Sequence, residues 1–294
     1  MIWLIGCKGM LGTELSLLLE KRGIPYVGTD IEIDITDITS LKNFVKSKQV
    51  KYIINCAAYT AVDKAEDDKD KCYMLNDLGA ENIALCSADI HARLIHISTD
   101  YVFDGKGIID INTGNPRPYY EEDVTNPIGV YGLTKRDGEN AVLNNNSHSY
   151  IIRTAWLYGI YGNNFVKTML RLMNERNEIK VVNDQYGSPT WAYDLSYVII
   201  KIINTDISFG IYHYTNEGSV TWFDFANEIY KQGKGIGLIK SRCSILPCSS
   251  YEYPAKVKRP AFSVLDKSKI KNNLDIKIPD WKRSLEEYIK LCEL

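Results

Sequence analysis

The chain has 294 residues, 45% of them hydrophobic and 24% charged, with 35 basic against 37 acidic residues and a net charge of −2. Such a composition belongs to a globular protein, and the length allows one sizeable domain with a smaller one beside it. Without a basic surplus, nucleic acid is excluded as a partner of the usual electrostatic kind. Seven cysteines, at 7, 56, 72, 86, 243, 248 and 292, contain no C-x-x-C pair; they make neither a disulfide framework nor a zinc site, which fits a reducing cytosol. The first six residues lack a positively charged segment ahead of a long apolar run, and no apolar run approaches the ~20 residues of a membrane span. The expectation is a cytoplasmic protein with neither membrane nor nucleic acid as partner.

Residues 2–5 are a short, fully apolar run that ends in Gly6-Cys7-Lys8-Gly9-Met10-Leu11-Gly12. Leu11, Leu15, Leu18 and Leu19 then mark one helical face up to Arg22-Gly23. Tyr26-Val27-Gly28-Thr29-Asp30 reads as a second strand closing on a carboxylate, and Leu41, Phe44 and Val45 mark a helix. Tyr52-Ile53-Ile54-Asn55-Cys56-Ala57-Ala58 is a third buried strand running into small residues, with a helix from about Cys72 to Asp89 after it. Leu94 to Ser98 is a fourth strand and Tyr150 to Arg153 a fifth. Continuous apolar strands alternating with helices predict an α/β fold: a Rossmann-like doubly wound parallel sheet covered on both faces.

After about residue 155 the alternation turns irregular, with prolines and aromatics at Pro189-Thr190-Trp191, Pro247, Tyr251, Tyr253-Pro254 and Pro260. The expected division is residues 1–155 plus roughly 191–213 as a dinucleotide-binding domain, and roughly 156–190 with 214–294 as a smaller substrate-binding lobe. Gly105 to Tyr120 is rich in Gly, Asn and Pro and reads as a long loop.

Gly6, Gly9 and Gly12 form G-x-x-G-x-x-G. Glycine serves where the backbone turns tightly and where a pyrophosphate must approach main-chain N–H groups. The motif follows a strand and opens a helix, whose positive end suits a phosphate, and Asp30 closes the next strand about twenty residues on. A dinucleotide is therefore expected. Asp30 suits both ribose hydroxyls and favours NADH, whereas Lys8 offers an ammonium to a 2′-phosphate and favours NADPH. The two residues leave the choice between NADPH and NADH open.

Tyr131 and Lys135 lie four apart on a predicted helix and share one face. A tyrosine holds its proton to a pKa of ~10, and a neighbouring ammonium lowers that value. A tuned tyrosine gives a proton to a carbonyl oxygen or takes one from an alcohol. Thr99, at the C-terminal end of the fourth strand, can hydrogen-bond the same oxygen, at the sheet edge where ligands bind in this architecture.

Taken together, the glycine turn, Ser98-Thr99-Asp100 and Tyr131-x-x-x-Lys135 resemble the extended short-chain dehydrogenase/reductase superfamily. Within it the chain is similar to the dTDP-4-dehydrorhamnose reductase family. That likeness rests on Asn55 to Glu66 (NCAAYTAVDKAE), Ser98 to Gly105 (STDYVFDG), Arg153 to Tyr158 (RTAWLY), Gly162 to Val166 (GNNFV), Asn183 to Thr190 (NDQYGSPT) and Arg259-Pro260. It covers essentially the whole chain in order. The resemblance implies reduction of the C4 ketone of dTDP-4-dehydro-L-rhamnose to dTDP-L-rhamnose for cell-surface polysaccharide. The nicotinamide supplies hydride and the tyrosine the proton.

By matched position the resemblance makes Thr99, Tyr131 and Lys135 catalytic. It assigns the cofactor to Gly6, Lys8, Gly9, Met10, Leu11, Gly12, Asp30, Asp34, Ile35, Ala57, Ala58, Tyr59 and Asn76, with Tyr131 and Lys135. It assigns the nucleotide sugar to Asp100, Tyr101, Val102, Phe103, Trp156 and Arg259, whose planar fork suits diphosphate oxygens. Sugar-nucleotide dehydratases of the superfamily carry Glu after Thr-Asp for water elimination. Tyr101 stands there instead, which argues for simple carbonyl reduction. An epimerase or a reductase yielding another deoxysugar, and a non-catalytic cofactor-binding regulatory subunit, stand as alternatives. The intact Thr99, Tyr131 and Lys135 count against the last.

The stretch from Gly107 to Tyr119 is longer than the family pattern and follows the catalytic strand, where it bears on substrate choice. Some members of the family dimerise through a metal held by glutamates. Glu14 matches one such position, but Tyr193 stands where its partner is expected. No metal is expected, and a homodimer remains open.

Overall fold

The computed structural model describes residues 1–253 and 255–292. Pro254 of the proline and aromatic cluster and the last two residues of the second lobe, Glu293 and Leu294, lie outside the described residues. Six parallel strands form the central sheet: β1 (Ile2–Ile5), β2 (Tyr26–Thr29), β3 (Tyr52–Asn55), β4 (Arg93–Thr99), β5 (Ser149–Thr154) and β6 (Gly210–His213). Their order is β2-β1-β3-β4-β5-β6. The expected doubly wound sheet is present, and β6 extends it beyond the five strands foreseen.

The strands read as unbroken apolar runs because both faces are covered. Alternation sends Leu4, Ile54, Ile95 and Ile152 to one side and Trp3, Ile5, Ile53, Leu94 and Ile151 to the other. The first set meets Leu11, Leu15, Leu18 and Leu19 of α1 (Met10–Lys21). The second meets α2 (Ile38–Val45), α3 (Gly79–Asp89) and Val142 of α4 (Val130–Asn145). The helix foreseen from about 72 starts earlier, at Lys69, and passes through a π turn at Met74–Leu78 before α3.

A second core gathers Tyr158, Val166, Met173, Trp191, Phe225, Leu285 and Tyr288. It joins α5 (Phe165–Glu175), α7 (Trp222–Gly235) and α8 (Trp281–Leu291), while α6 (Ala192–Asn204) packs on the sheet beside α1. A two-stranded parallel pair, Glu178–Val182 with Ser244–Cys248, completes this region. Ile270, Leu274 and Ile278 return to the sheet side and pack with its core.

The stretch from Gly105 to Tyr120 is not simply a loop. Ile108–Ile109 pairs antiparallel with Pro116–Arg117. The turn between them is closed by the Asp110 carboxylate, which accepts the N–H groups of Asn112 and Thr113 at 2.8 and 3.0 Å. Arg117 anchors the return strand through two bonds to Asp123, at 2.7 and 2.8 Å. Asn and Gly composition hid the hairpin because the same residues that read as loop make its turn.

Candidate active site

The end of β4 and the start of α4 are held together by backbone packing. After Thr99 the chain makes one 3-10 turn, Asp100–Val102, capped by the Thr99 hydroxyl, which accepts the Tyr101 N–H at 3.2 Å and donates to Asp100 Oδ1 at 3.0 Å. Glu66 Oε1 accepts the Val130 N–H at 2.8 Å, satisfying one of the open donors at the start of α4. Gly132 lies so near the Tyr101 carbonyl that a Cβ would sit 2.2 Å from its oxygen. Tyr131 therefore stands beside Tyr101, edge to face, with ring centroids 5.4 Å apart.

The Tyr131 phenol is pushed up to about 12 by burial, and the nearby Thr99 hydroxyl only partly opposes this. This corrects the expectation of a phenol lowered by a neighbouring ammonium. In this buried site, desolvation outweighs any help from charge. The protonated phenol is the form that a reduction requires.

Lys135 is buried, and burial lowers it to about 8 against the opposing pull of Glu139. Its Nζ donates to the Ile97 carbonyl at 2.7 Å and lies 3.2 Å from His96 Nε2. Glu139 is itself engaged by Arg153 of β5, through Nε to Oε1 at 2.9 Å and Nη2 to Oε2 at 2.7 Å, both side chains being buried. The guanidinium also donates to the Glu121 carbonyl at 3.2 Å and lies 5.1 Å over the Phe103 ring. Sequence reasoning missed His96 and Glu139, because side chains inside a strand and on a buried helix face carry no motif.

A cleft of about 510 Å³ opens where the strand order reverses, between the ends of β1 and β3. Gly6, Lys8, Gly9, Asp30, Asp34, Ile35, Ala57 and Ala58 line it with Cys56 of the same small-residue strand end, together with Ile31, Ile33 and Leu75, which were not foreseen as cofactor contacts. Gly12 brings α1 against the turn: a Cβ there would meet the Gly6 carbonyl oxygen at 2.0 Å. The uncovered N-terminus of α1 and the bare backbone at Gly6 and Gly9 fit a dinucleotide pyrophosphate. Asp30 Oδ2 accepts the Lys8 N–H at 3.0 Å, while the Lys8 ammonium turns to Glu32 at 3.3 Å.

Other residues expected at the cofactor do not line this cleft. Met10 and Leu11 open α1, Leu11 within the core and Met10 packed beside it. Asn76, in the π turn, accepts the Tyr59 N–H at 2.8 Å and donates to the Tyr59 carbonyl and to Thr134 Oγ1, each at 3.1 Å. It ties the Tyr59 segment to α4.

A second cavity, of about 430 Å³, is lined by Asp100, Tyr101, Trp156 and Arg259. Trp222, Phe165, Lys180 and Lys258 join them. Trp156 has φ +48°, a left-handed value unusual for a large side chain, and its indole stacks on Trp222 at 3.5 Å. Arg259 gives Nη2 to Asp63 at 2.5 Å, while Nη1 is buried with no partner among the described residues. Burial raises Asp100 to about 6. Val102 and Phe103 do not reach this cavity; both are buried with Tyr119 and Leu265, and Phe103 stacks on Tyr119 at 4.2 Å. Glu14 is buried and its carboxyl is pushed up by burial; Tyr193 packs against Trp191 at 4.9 Å. Among the described residues no cluster of three His, Cys, Asp or Glu side chains is arranged to hold a metal.

A doubly wound sheet with a glycine turn at its switch point, and Thr, Tyr and Lys gathered at the end of β4, defines an NAD(P)-dependent oxidoreductase of the short-chain dehydrogenase type. More narrowly, the chain belongs to the dTDP-4-dehydrorhamnose reductase family. The family model described as RmlD substrate binding domain matches residues 1–293. A dTDP-4-dehydrorhamnose reductase of Aggregatibacter actinomycetemcomitans is 38% identical over 288 residues, covering 96% of this chain and 95% of that one. The crystal structure of a Clostridium acetobutylicum dTDP-4-dehydrorhamnose reductase superposes with a TM-score of 0.91 at 40% identity, covering 100% and 99% of the two chains. That of the Bacillus anthracis enzyme, in complex with NADP, gives 0.90 at 38% identity, with the same coverage.

Proposed function

We propose that this chain reduces the C4 ketone of dTDP-4-dehydro-L-rhamnose to dTDP-L-rhamnose, with NADPH or NADH as reductant. The observation that carries this reading is a pair of cavities at the C-terminal ends of the strands, one lined by the glycine turn and the other by Asp100 and Tyr101, which directly follow Thr99. One has the bare glycine backbone a pyrophosphate needs, and the other has stacked indoles and three cations. The nicotinamide, when bound, supplies the hydride. Gly6, Gly9, Asp30, Ala57 and Ala58 hold the dinucleotide, with the N-terminus of α1 facing its phosphates.

Thr99 and Tyr131 bind the ketone oxygen, and Tyr131 gives it the proton that completes the alcohol. Lys135, lowered by burial to about 8, stands one helical turn from the phenol and still carries its proton at neutral pH. Tyr101 occupies the place where elimination needs a carboxylate; a phenol held well above its usual range by burial does not serve as that base. Arg259, whose Nη1 has no partner among the described residues, and Lys180 and Lys258 receive the diphosphate, while Trp156 and Trp222 offer flat faces to the base or sugar. The division into 1–155 with 191–213, and 156–190 with 214–294, is part of the same reading. It is supported by the two separate cores, with residues 270–278 packing across onto the sheet. Cytoplasmic residence is supported by the seven free cysteines, and a homodimer by the family resemblance alone.

The test is stoichiometric: excess enzyme is mixed with enzymatically made dTDP-4-dehydro-L-rhamnose and one equivalent of NADPH or NADH, and the product sugar is identified. Loss of one reduced cofactor per dTDP-L-rhamnose formed is expected. A tightly held cofactor with no net oxidation, or a product epimeric at C4, would sink the proposal.

A further inference from the structure

Three side chains behind the active site form a chain whose donors and acceptors are fixed by one another. Asn55, at the end of β3, accepts the Ala57 N–H on Oδ1 at 3.0 Å. That bond orients the amide, so its NH2 group faces His96 Nδ1 at 3.1 Å. An amide nitrogen only donates, so Nδ1 accepts and the neutral ring carries its proton on Nε2. The ring is buried, and burial keeps it neutral. Nε2 then points its N–H at Lys135 Nζ, 3.2 Å away.

An ammonium has no lone pair to receive that N–H; an amine has one. Lys135 already donates to the Ile97 carbonyl at 2.7 Å. The amine form therefore completes every bond in the chain, whereas the ammonium form meets a donor with a donor. Relief requires moving the imidazole proton to Nδ1, which then opposes the Asn55 NH2. Turning that amide gives up the Ala57 N–H, on the segment that lines the dinucleotide cleft. Other charged or titratable groups facing Lys135 do not substitute for this effect. Glu139 on α4 is engaged by Arg153, and Cys56 after β3 and Cys72 on the 69–73 helix are thiols raised by burial.

We propose that His96, fixed in the Nε2–H tautomer by Asn55, is a positioning residue that stabilises the amine form of Lys135 and couples the lysine's proton to the Ala57 turn of the cofactor cleft. The proposal rests on the reading of Lys135 as part of the catalytic group. In reduction, Tyr131 loses its proton to the substrate oxygen, and Lys135 backs that loss. The Lys135 ammonium returns a proton to the Tyr131 phenolate and becomes the amine; stabilising that amine makes the ammonium a stronger acid and sets the pH at which the pair runs out of protons.

The direct test needs no turnover. Protein labelled with 15N-histidine is examined by long-range 1H–15N correlation, which distinguishes a ring protonated at Nε2 from one protonated at Nδ1. The His96 signal, assigned by its loss in His96→Gln, is expected to show Nε2–H. An Nδ1–H ring would overturn the proposal whatever the substrate is.

The second test is the pH dependence of kcat. His96→Leu removes the donor, so Lys135 keeps its proton longer and the alkaline limb moves up by about one pH unit, the worth of one hydrogen bond. His96→Gln supplies an amide N–H in the same place and returns the limb to its wild-type position. A His96→Leu profile that superimposes on wild type, with only the height changed, would overturn the proposal. If that variant does not fold, Asn55→Ala frees the ring to turn its tautomer, and the same upward shift is expected. An unmoved limb in Asn55→Ala has the same force against the proposal.

Discussion

Gly132 rests against the carbonyl oxygen of Tyr101 so closely that no side chain fits between them: a Cβ would lie 2.2 Å away. This contact joins the turn after β4 to the first turn of α4, and Tyr131 takes its place from it. Gly132→Ala must push the helix off the strand end. The expected result is a fall in kcat/KM of roughly 10²-fold from misplacing the phenol, with a stability loss of about 1–3 kcal/mol from overpacking. Steady-state kinetics and urea unfolding of the variant check both, and wild-type values for either would contradict the packing argument.

The Arg153–Glu139 pair is buried on both sides, and Glu139 also faces Lys135. Glu139→Leu leaves a buried guanidinium without its counter-charge, at an expected cost of about 3–5 kcal/mol. The double variant Arg153→Met with Glu139→Leu removes both charges and is expected to recover most of that loss. Chemical denaturation of the two proteins distinguishes a lost ion pair from a stranded charge.

Asp100 has a pKa raised by burial from 3.8 to about 6. The folded state thus holds this proton more tightly than the unfolded chain. The group's stabilising contribution is fully present below 3.8 and is lost as pH rises through about 6. The size is roughly 2–3 kcal/mol, from 1.36 kcal/mol for each unit. Asp100→Asn removes the titration, so its stability is expected to fall less than that of wild type between those pH values. Melting curves across that range check this, and parallel pH profiles would contradict it.

Lys8 and Glu32 pair at 3.3 Å at the exposed rim of the dinucleotide cleft, and the Lys8 N–H is taken by Asp30. Glu32→Gln frees the ammonium for a 2′-phosphate. It is expected to lower the KM for NADPH by roughly 1.5- to 5-fold, the range of one exposed charge contact, and to leave that for NADH little changed. Lys8→Ala is expected to raise the NADPH value instead. Paired KM measurements with both cofactors in the two variants check the signs.

What the sequence made legible follows the range over which each signal acts. Gly6, Gly9 and Gly12, Thr99, Tyr131 and Lys135 are short motifs on predictable elements, and the structure brings them to one edge of the sheet. Trp222 and Phe165 were invisible as site residues because Trp222 meets Trp156, and Phe165 meets Trp222, only through the packing of a second core. Val102 and Phe103 shared a motif with Asp100 and Tyr101, but the 3-10 turn rotates them inward to the Tyr119 cluster. Asn55 and His96 look like ordinary strand residues until β3 and β4 stand side by side and their side chains touch. The hairpin at 108–117 was hidden by turn residues, and the Tyr131 pKa by a burial that no spacing encodes.

The central claim is that Tyr131 supplies the proton in a carbonyl reduction. The measurement is oxidation of NADPH or NADH with enzymatically made dTDP-4-dehydro-L-rhamnose, by wild type and by Tyr131→Phe at equal cofactor saturation. Wild type is expected to turn over. Tyr131→Phe is expected to lose roughly 10²–10⁴-fold in kcat, the worth of a positioned acid, while still binding cofactor. Equal rates in the two proteins, or no turnover by a folded, cofactor-binding wild type, would contradict the account.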